Sequence, residues 1–267
     1  MRRIVEKTKL FLFDMDGTLY LGDRLYDFTP ALLTQIRQSG GRYLFMTNNS
    51  SKSVADYIKK LCKLGISATR EDFITSSQAT AYYLKRHHPG KKLYVCGTQS
   101  LIAELASEGF TVTDDLSQVE CVVMGFDTEL TFQKLWDVSK LLSENKDLPY
   151  IATNPDLVCP TEFGSVPDCG SVCDMLYNVS KRRPLFIGKP EPLMVQYAMS
   201  VTGFAPEETV MIGDRLYTDI AAGNRAGVDS LCVLSGEATL QDVRESPDRP
   251  TYLLTDVGVL AEIIAEN

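Results

Sequence analysis

The chain has 267 residues, enough for one large domain or for a core carrying an insertion, and with 44% hydrophobic and 23% charged residues it reads as a globular protein with a sizeable interior. A formal charge of −8, with no basic cluster longer than Lys181-Arg182-Arg183, sets up a field that repels polyanions and makes nucleic acid a poor partner. Apolar runs fall short of the ~20 residues of a membrane span, and the run behind Arg2-Arg3 is cut by Asp14 and Asp16 before it can form a secretory signal, so no membrane partner and a cytoplasmic location are expected.

The first element in chain order is the run Leu10 to Phe13, which ends abruptly in Asp14-Met15-Asp16-Gly17-Thr18 and reads as a buried strand closed by two acids and a tight turn. Carboxylates two positions apart at a broken strand end point in similar directions, so one can attack a phosphorus while the other handles protons. A second strand, Tyr43 to Met46, runs into Thr47-Asn48-Asn49-Ser50, hydroxyl and amide donors ahead of a helix; such a place binds anions, or it is simply an N-cap with its turn. The helix that follows carries Val54, Tyr57, Ile58, Leu61 and Leu64 on one face and stops at Gly65.

The middle third has its own strands at Leu93 to Cys96 and Cys121 to Met124, and helices around Gln99 to Ser107 and Phe132 to Ser143, which together read as an inserted cap. His87 and His88 read as exposed residues of the link into it, and Trp136 as a core residue beside Phe132 and Leu135. The seven cysteines are scattered, odd in number and without a C-x-x-C pair, as expected of free thiols in a reducing compartment, and Cys169 with Cys173 reads as packing rather than a zinc site.

Beyond the insertion, Leu185 to Ile187 reads as a third strand leading to Gly188-Lys189-Pro190. Lys189 there is either a solvated loop lysine or a cation aimed at the same sheet edge. A helix from Pro190/Pro192 to Gly203 follows, then the strand Thr209 to Ile212, which ends in Gly213-Asp214-Arg215-Leu216-Tyr217-Thr218-Asp219. Mg²⁺ asks for hard oxygens and one or two carboxylates, which Asp214 supplies; Asp219 is either part of that set or an acid in a first helical turn. The last core strand is Ser230 to Leu234. Strands and helices alternate through short turns, so the expected fold is α/β, a Rossmann-like parallel sheet with an inserted α/β cap. In such a sheet, sites form at the carboxyl ends of strands.

An acid pair, a hydroxyl, a lysine and a further acid, each at a strand end and in this order, resemble the four motifs of the haloacid dehalogenase superfamily of phosphohydrolases. The long insertion between the second and third motifs, with Thr47-Asn48-Asn49-Ser50, Ile74-Thr75-Ser76-Ser77, Thr153-Asn154-Pro155-Asp156 and Gly213-Asp214-Arg215-Leu216, is similar to subfamily IIA, the NagD-like or p-nitrophenylphosphatase branch with a type C2 cap. The resemblance implies a core of residues 1–86 and 182–267 and a cap of 87–181. It implies that Asp14 attacks phosphorus to give an aspartyl-phosphate and that Asp16 protonates the leaving oxygen and then activates water. Mg²⁺ would be held by Asp14, the backbone carbonyl of Asp16 and Asp214; Thr47, Asn48, Asn49 and Lys189 would bind the phosphoryl oxygens, and Asp219 would stand behind metal and lysine.

The expected activity is hydrolysis of a small phosphomonoester such as a nucleotide or sugar phosphate. A phosphotransferase or mutase on the same site, or a non-catalytic phosphometabolite-binding protein, are the alternatives. Self-association through the cap is left open. The stretch Gly164 to Gly170 departs from the glycine-rich turn of the branch; an Asp168 pointing into the cleft would disfavour anionic substrate tails and favour polar or cationic ones.

Overall fold

The computed structural model describes residues 2–266; Met1 and Asn267, the outer limits of the expected core ranges, lie outside the described residues. The elements run α1 (Arg2–Lys7), β1 (Leu10–Phe13), β2 (Tyr20–Leu21), β3 (Arg24–Leu25), α2 (Thr29–Gln38), β4 (Arg42–Thr47), α3 (Val54–Lys63), β5 (Phe73–Thr75) and α4 (Ser76–His87). They continue with β6 (Leu93–Cys96), α5 (Gln99–Ser107), β7 (Cys121–Met124), α6 (Phe132–Glu144), β8 (Tyr150–Ala152), β9 (Val158–Thr161), β10 (Gly164–Pro167), α7 (Cys169–Ser180) and β11 (Leu185–Phe186). The chain closes with α8 (Leu193–Thr202), β12 (Thr209–Gly213), a π-helical turn over Leu216–Ile220, α9 (Ala221–Ala226), β13 (Asp229–Val233), α10 (Leu240–Glu245), β14 (Tyr252–Leu254) and α11 (Val257–Ala265).

Two compact units result: one takes the residues up to Thr47, Val54–Ile74 and everything from Lys189 onward, the other Asn48–Ser53 and Thr75–Gly188. The first is built on a six-stranded sheet in the order β14-β13-β12-β1-β4-β5. Its four neighbour pairs from β14 to β4 are parallel. Every residue of β1 and β12 is buried, as strands covered on both faces by helices require, which is why they read as unbroken apolar runs and not as alternations. Leu32, Leu33 and Ile36 of α2 and Leu260 and Ile264 of α11 pack on Phe11, Phe13 and Ile212, while Leu216 and Ile220 gather with Cys232 in a smaller cluster.

The second unit has its own parallel sheet, β11-β8-β7-β6, with α6 and α7 packed through Val138, Leu142, Cys173 and Leu176 on Val122 and Met124. The antiparallel ribbon β9-β10 belongs to it as well.

This division differs from the expected limits of 86/87 and 181/182. α4 packs on α5, and β11 hydrogen-bonds to β8 with Leu185 opposite Ile151. The strand expected at Leu185 to Ile187 therefore lies in the sheet of the inserted unit, and Lys189 stands at the point where the chain leaves it. Three apolar residues in a row show a buried strand but carry no mark of which sheet buries it.

Two further expectations are corrected. Trp136 is 61% exposed, with Phe132 beside it still more open, because α6 turns Val138, Leu141 and Leu142 to the interior. Asp168 is 4% exposed: its Oδ1 accepts the Cys169 N–H at 2.5 Å at the start of α7 and the Asn154 amide at 3.0 Å. It is a buried helix cap, bound within its own unit. Among the described residues no helix is long and apolar enough to cross a membrane. All seven cysteines are free thiols.

Candidate active site

The ladder between β1 and β12 continues one step past the strand, the Asp14 N–H donating to Ile212 O at 2.8 Å, and so Asp14 and Asp214 emerge side by side at the carboxyl edge. After Asp14 the chain reverses. Gly17 takes φ +87°, and a β-carbon there would fall inside the Asp214 carboxylate, so this position needs glycine both for its backbone and for space. Thr47 ends β4, the neighbour of β1 on its other side, two residues beyond the Phe13 and Phe45 pair.

Lys189 is the centre of the arrangement. Its Nζ donates to Asp14 Oδ1 at 2.6 Å and to Asp219 Oδ1 at 2.6 Å, and only 3% of its side chain is exposed. Burial alone would lower its pKa, but the two carboxylates outweigh burial and hold the ammonium charged. Asp219 is placed by the π-helical turn: its Oδ2 accepts the Arg215 N–H at 3.1 Å.

Asp14, Asp214 and Asp219 each offer an oxygen within 4.8 Å of the others. Such crowding shows in the titration of the two buried acids, Asp214 and Asp219. Burial, then the neighbouring Asp14, pushes Asp214 up to about 6, and burial pushes Asp219 up to about 7 against the pull of Lys189. Asp214 Oδ2 accepts the Glu237 N–H at 2.8 Å, whereas Oδ1 is buried without a hydrogen-bond partner. A buried carboxylate oxygen left unpaired beside two further acids is a poor arrangement for a protein alone and fits a hard divalent cation well.

Asp16 stands apart from this group. Its carboxylate is 56% exposed, with Oδ1 accepting the Gly22 N–H at 3.2 Å and Oδ2 lying 3.9 Å from Lys60 Nζ. Asn48 and Asn49 fall in the second unit: the Asn48 amide donates to Asp156 Oδ2 at 2.9 Å, and Asn49 Oδ1 accepts both the N–H and the hydroxyl of Ser51.

The segment Ser235-Gly236-Glu237 was not singled out from sequence and proves part of the site's framework. Ser235 Oγ donates to Gly17 O at 2.8 Å, Tyr26 Oη donates to Ser235 O at 2.8 Å, and a β-carbon at Gly236 would overlap the Asp214 carboxylate. Small residues just past the end of β13, beside the strand carrying Asp214, were the available signal.

Residues 11–111 match the family model described as haloacid dehalogenase-like hydrolase, and residues 186–260 match the related model described as HAD-hydrolase-like. The acid sugar phosphatase of Staphylococcus aureus is 34% identical over 262 residues, spanning 98% of this chain and 99% of that protein. Among solved structures, the 4-nitrophenylphosphatase of Thermotoga maritima superposes with a TM-score of 0.92 at 35% identity, covering 97% of this chain and 98% of that one. NagD from Escherichia coli K-12 gives 0.87 at 32% identity, over 94% and 98%.

With an α/β parallel sheet and acids gathered at its carboxyl edge, the chain belongs to the haloacid dehalogenase-like hydrolases. Within that family it is a phosphatase of the NagD-like, p-nitrophenylphosphatase branch.

Proposed function

We propose that this chain hydrolyses a small phosphomonoester in the cytoplasm, with Mg²⁺ and through a phosphorylated Asp14. The reading is carried by the buried Lys189 ammonium, bonded to Asp14 and Asp219 beside an Asp214 oxygen that has no protein partner. Asp14 attacks phosphorus, and the ester oxygen leaves with its electron pair while Asp16 gives it a proton. Asp16, now a carboxylate, takes a proton from water as the water oxygen attacks phosphorus, frees Asp14 and releases inorganic phosphate. Lys189 offsets the repulsion between the Asp14 carboxylate and the phosphoryl oxygens, and Asp219 keeps Lys189 placed and charged.

Thr47, Asn48 and Asn49 are the proposed donors to the phosphoryl oxygens. Asp14, the Asp16 carbonyl and Asp214 would hold Mg²⁺, which would further neutralise phosphoryl charge.

The names of the relatives make sugar phosphates and p-nitrophenyl phosphate the first substrates to test, with nucleotides beside them. Phosphate release is expected with Mg²⁺ and no added acceptor, and Asp14→Asn is expected to abolish both turnover and acid-stable labelling of the protein by phosphate while the fold survives. Turnover only after addition of an acceptor alcohol would make the chain a phosphotransferase instead. The second proposed partner is another copy of the chain, bound through the inserted unit.

A further inference from the structure

Asp16 has the most demanding of the proposed tasks and the least protein around it. As a general acid it must meet the leaving oxygen in a set geometry, yet its carboxylate is half-exposed and lies outside the Lys189 cluster. A carboxylate in water turns freely about χ1 and χ2, which lowers the fraction of time spent within reach of that oxygen. Two groups oppose this freedom. The Gly22 N–H, in the turn between β2 and β3, donates to Oδ1, and the Lys60 ammonium faces Oδ2 at 3.9 Å.

Lys60 is itself well placed for the task. It projects from α3, whose Tyr57 and Leu61 are buried in the core, and its Nζ lies 4.3 Å from the centroid of the Tyr20 ring. Tyr20 is buried; its carbonyl accepts the Gly17 N–H at 2.7 Å, and its backbone bridges to that of Asp16. With the charge over the ring face, cation–π attraction holds the ammonium where the carboxylate comes. A typical exposed ion pair orders little because both partners are long and solvated. Here the cation is fixed by a buried aromatic ring that is joined through backbone to the acid it faces.

We propose that Lys60 is a positioning residue that holds the Asp16 carboxyl group for proton delivery to the leaving oxygen. The inference rests on the general-acid role given to Asp16 above. In that step the Asp16 O–H bond breaks, the proton passes to the ester oxygen as its bond to phosphorus breaks, and the carboxylate left behind faces Lys60. Lys60 touches neither phosphorus nor the leaving group.

The test is the dependence of kcat/KM on leaving-group acidity, measured with Mg²⁺ on a series from p-nitrophenyl phosphate to an alkyl phosphate. This parameter reports the steps through phosphorylation of Asp14. With an acid in place the dependence is shallow, because the poor leaving groups receive a proton. Lys60→Met is expected to steepen it, lowering kcat/KM for the alkyl phosphate on the order of tenfold more than for p-nitrophenyl phosphate, a fraction of the ~10²-fold or more that a general acid contributes. Lys60→Arg is expected to restore most of the loss, and Asp16→Asn to steepen the series further.

A steep series for Asp16→Asn with a wild-type slope for Lys60→Met overturns the proposal and leaves Asp16 its role. A flat series for Asp16→Asn removes the general acid and the proposal together. A uniform rise in KM with unchanged slope makes Lys60 a substrate contact and also overturns it. Thermal melts of both lysine variants separate any of these from loss of the fold.

Discussion

Asp214 is the most constrained side chain of the site, with one oxygen on the Glu237 N–H, the other unpaired, and glycines 17 and 236 pressed against it. Gly236→Ala would force that carboxylate aside or open the turn after β13, so this variant is expected to lose the stabilisation that added Mg²⁺ gives the wild type, read as the shift in Tm. The same crowding sets a pH dependence. Asp214 at about 6 and Asp219 at about 7 stand above the ordinary 3.8, so the folded, cation-free protein holds protons that the unfolded chain has released. Stability from these groups is therefore greatest at low pH, declines as pH rises between about 4 and about 7, and the full cost stands above that window. A bound cation removes the repulsion where the acids are ionised, so Mg²⁺ is expected to raise Tm more at about pH 7.5 than at about pH 5. An equal rise at both would remove these carboxylates as ligands.

At the scale of elements, the strand-end residues were legible because chemistry and chain order coincide there. β1 and β12 are unbroken apolar runs, each halted by a glycine-containing acidic turn, and two central parallel strands so marked bring Asp14 and Asp214 to one edge. What could not be read is how Lys189 reaches them. Its preceding strand, β11, joins the other sheet, and three apolar residues carry no sheet address.

Asp168 is a different case. An aspartate directly ahead of an apolar helical run is an N-cap signal of short range, and that local signal, not a place in the cleft, accounts for its position. As a cap that also accepts from Asn154 in a buried place, Asp168→Ala is expected to cost about 1–3 kcal/mol by chemical denaturation, because the Asn154 amide loses a partner that water cannot replace. A phosphoester profile that shifts with no loss of stability would return Asp168 to substrate selection.

At the scale of the whole molecule, the face left by α6 and α7 bears on self-association. α6 carries apolar residues on two different faces; Val138, Leu141 and Leu142 go to the interior, and Phe132 and Trp136 are left outside. Periodicity reveals an apolar stripe but does not choose between two of them, which is why Trp136 was placed in the core. Outside, these aromatics join Met175 and Val179 of α7 along a groove of 680 Å³ that also takes in Lys140 and Glu144. The exposed parts of the four apolar side chains come to roughly 500 Å², at about 200 Å² for a large side chain, near the upper end of what a monomer shows in one place.

With a polar rim this approaches the ~800 Å² per partner of a stable interface. The groove carries one positive and one negative side chain, so a basic or acidic macromolecule gains nothing from it, whereas a second copy turned about a two-fold axis would bring a Lys140 and a Glu144 of opposite charge to the same face. Dimerisation is therefore expected in sedimentation, with a concentration-dependent blue shift of the emission of Trp136, the single tryptophan of the chain. Trp136→Glu is expected to give a folded monomer whose Tm in Mg²⁺, unlike that of the wild type, does not rise with protein concentration. A wild type that sediments as a monomer across the micromolar range would leave that face to another partner.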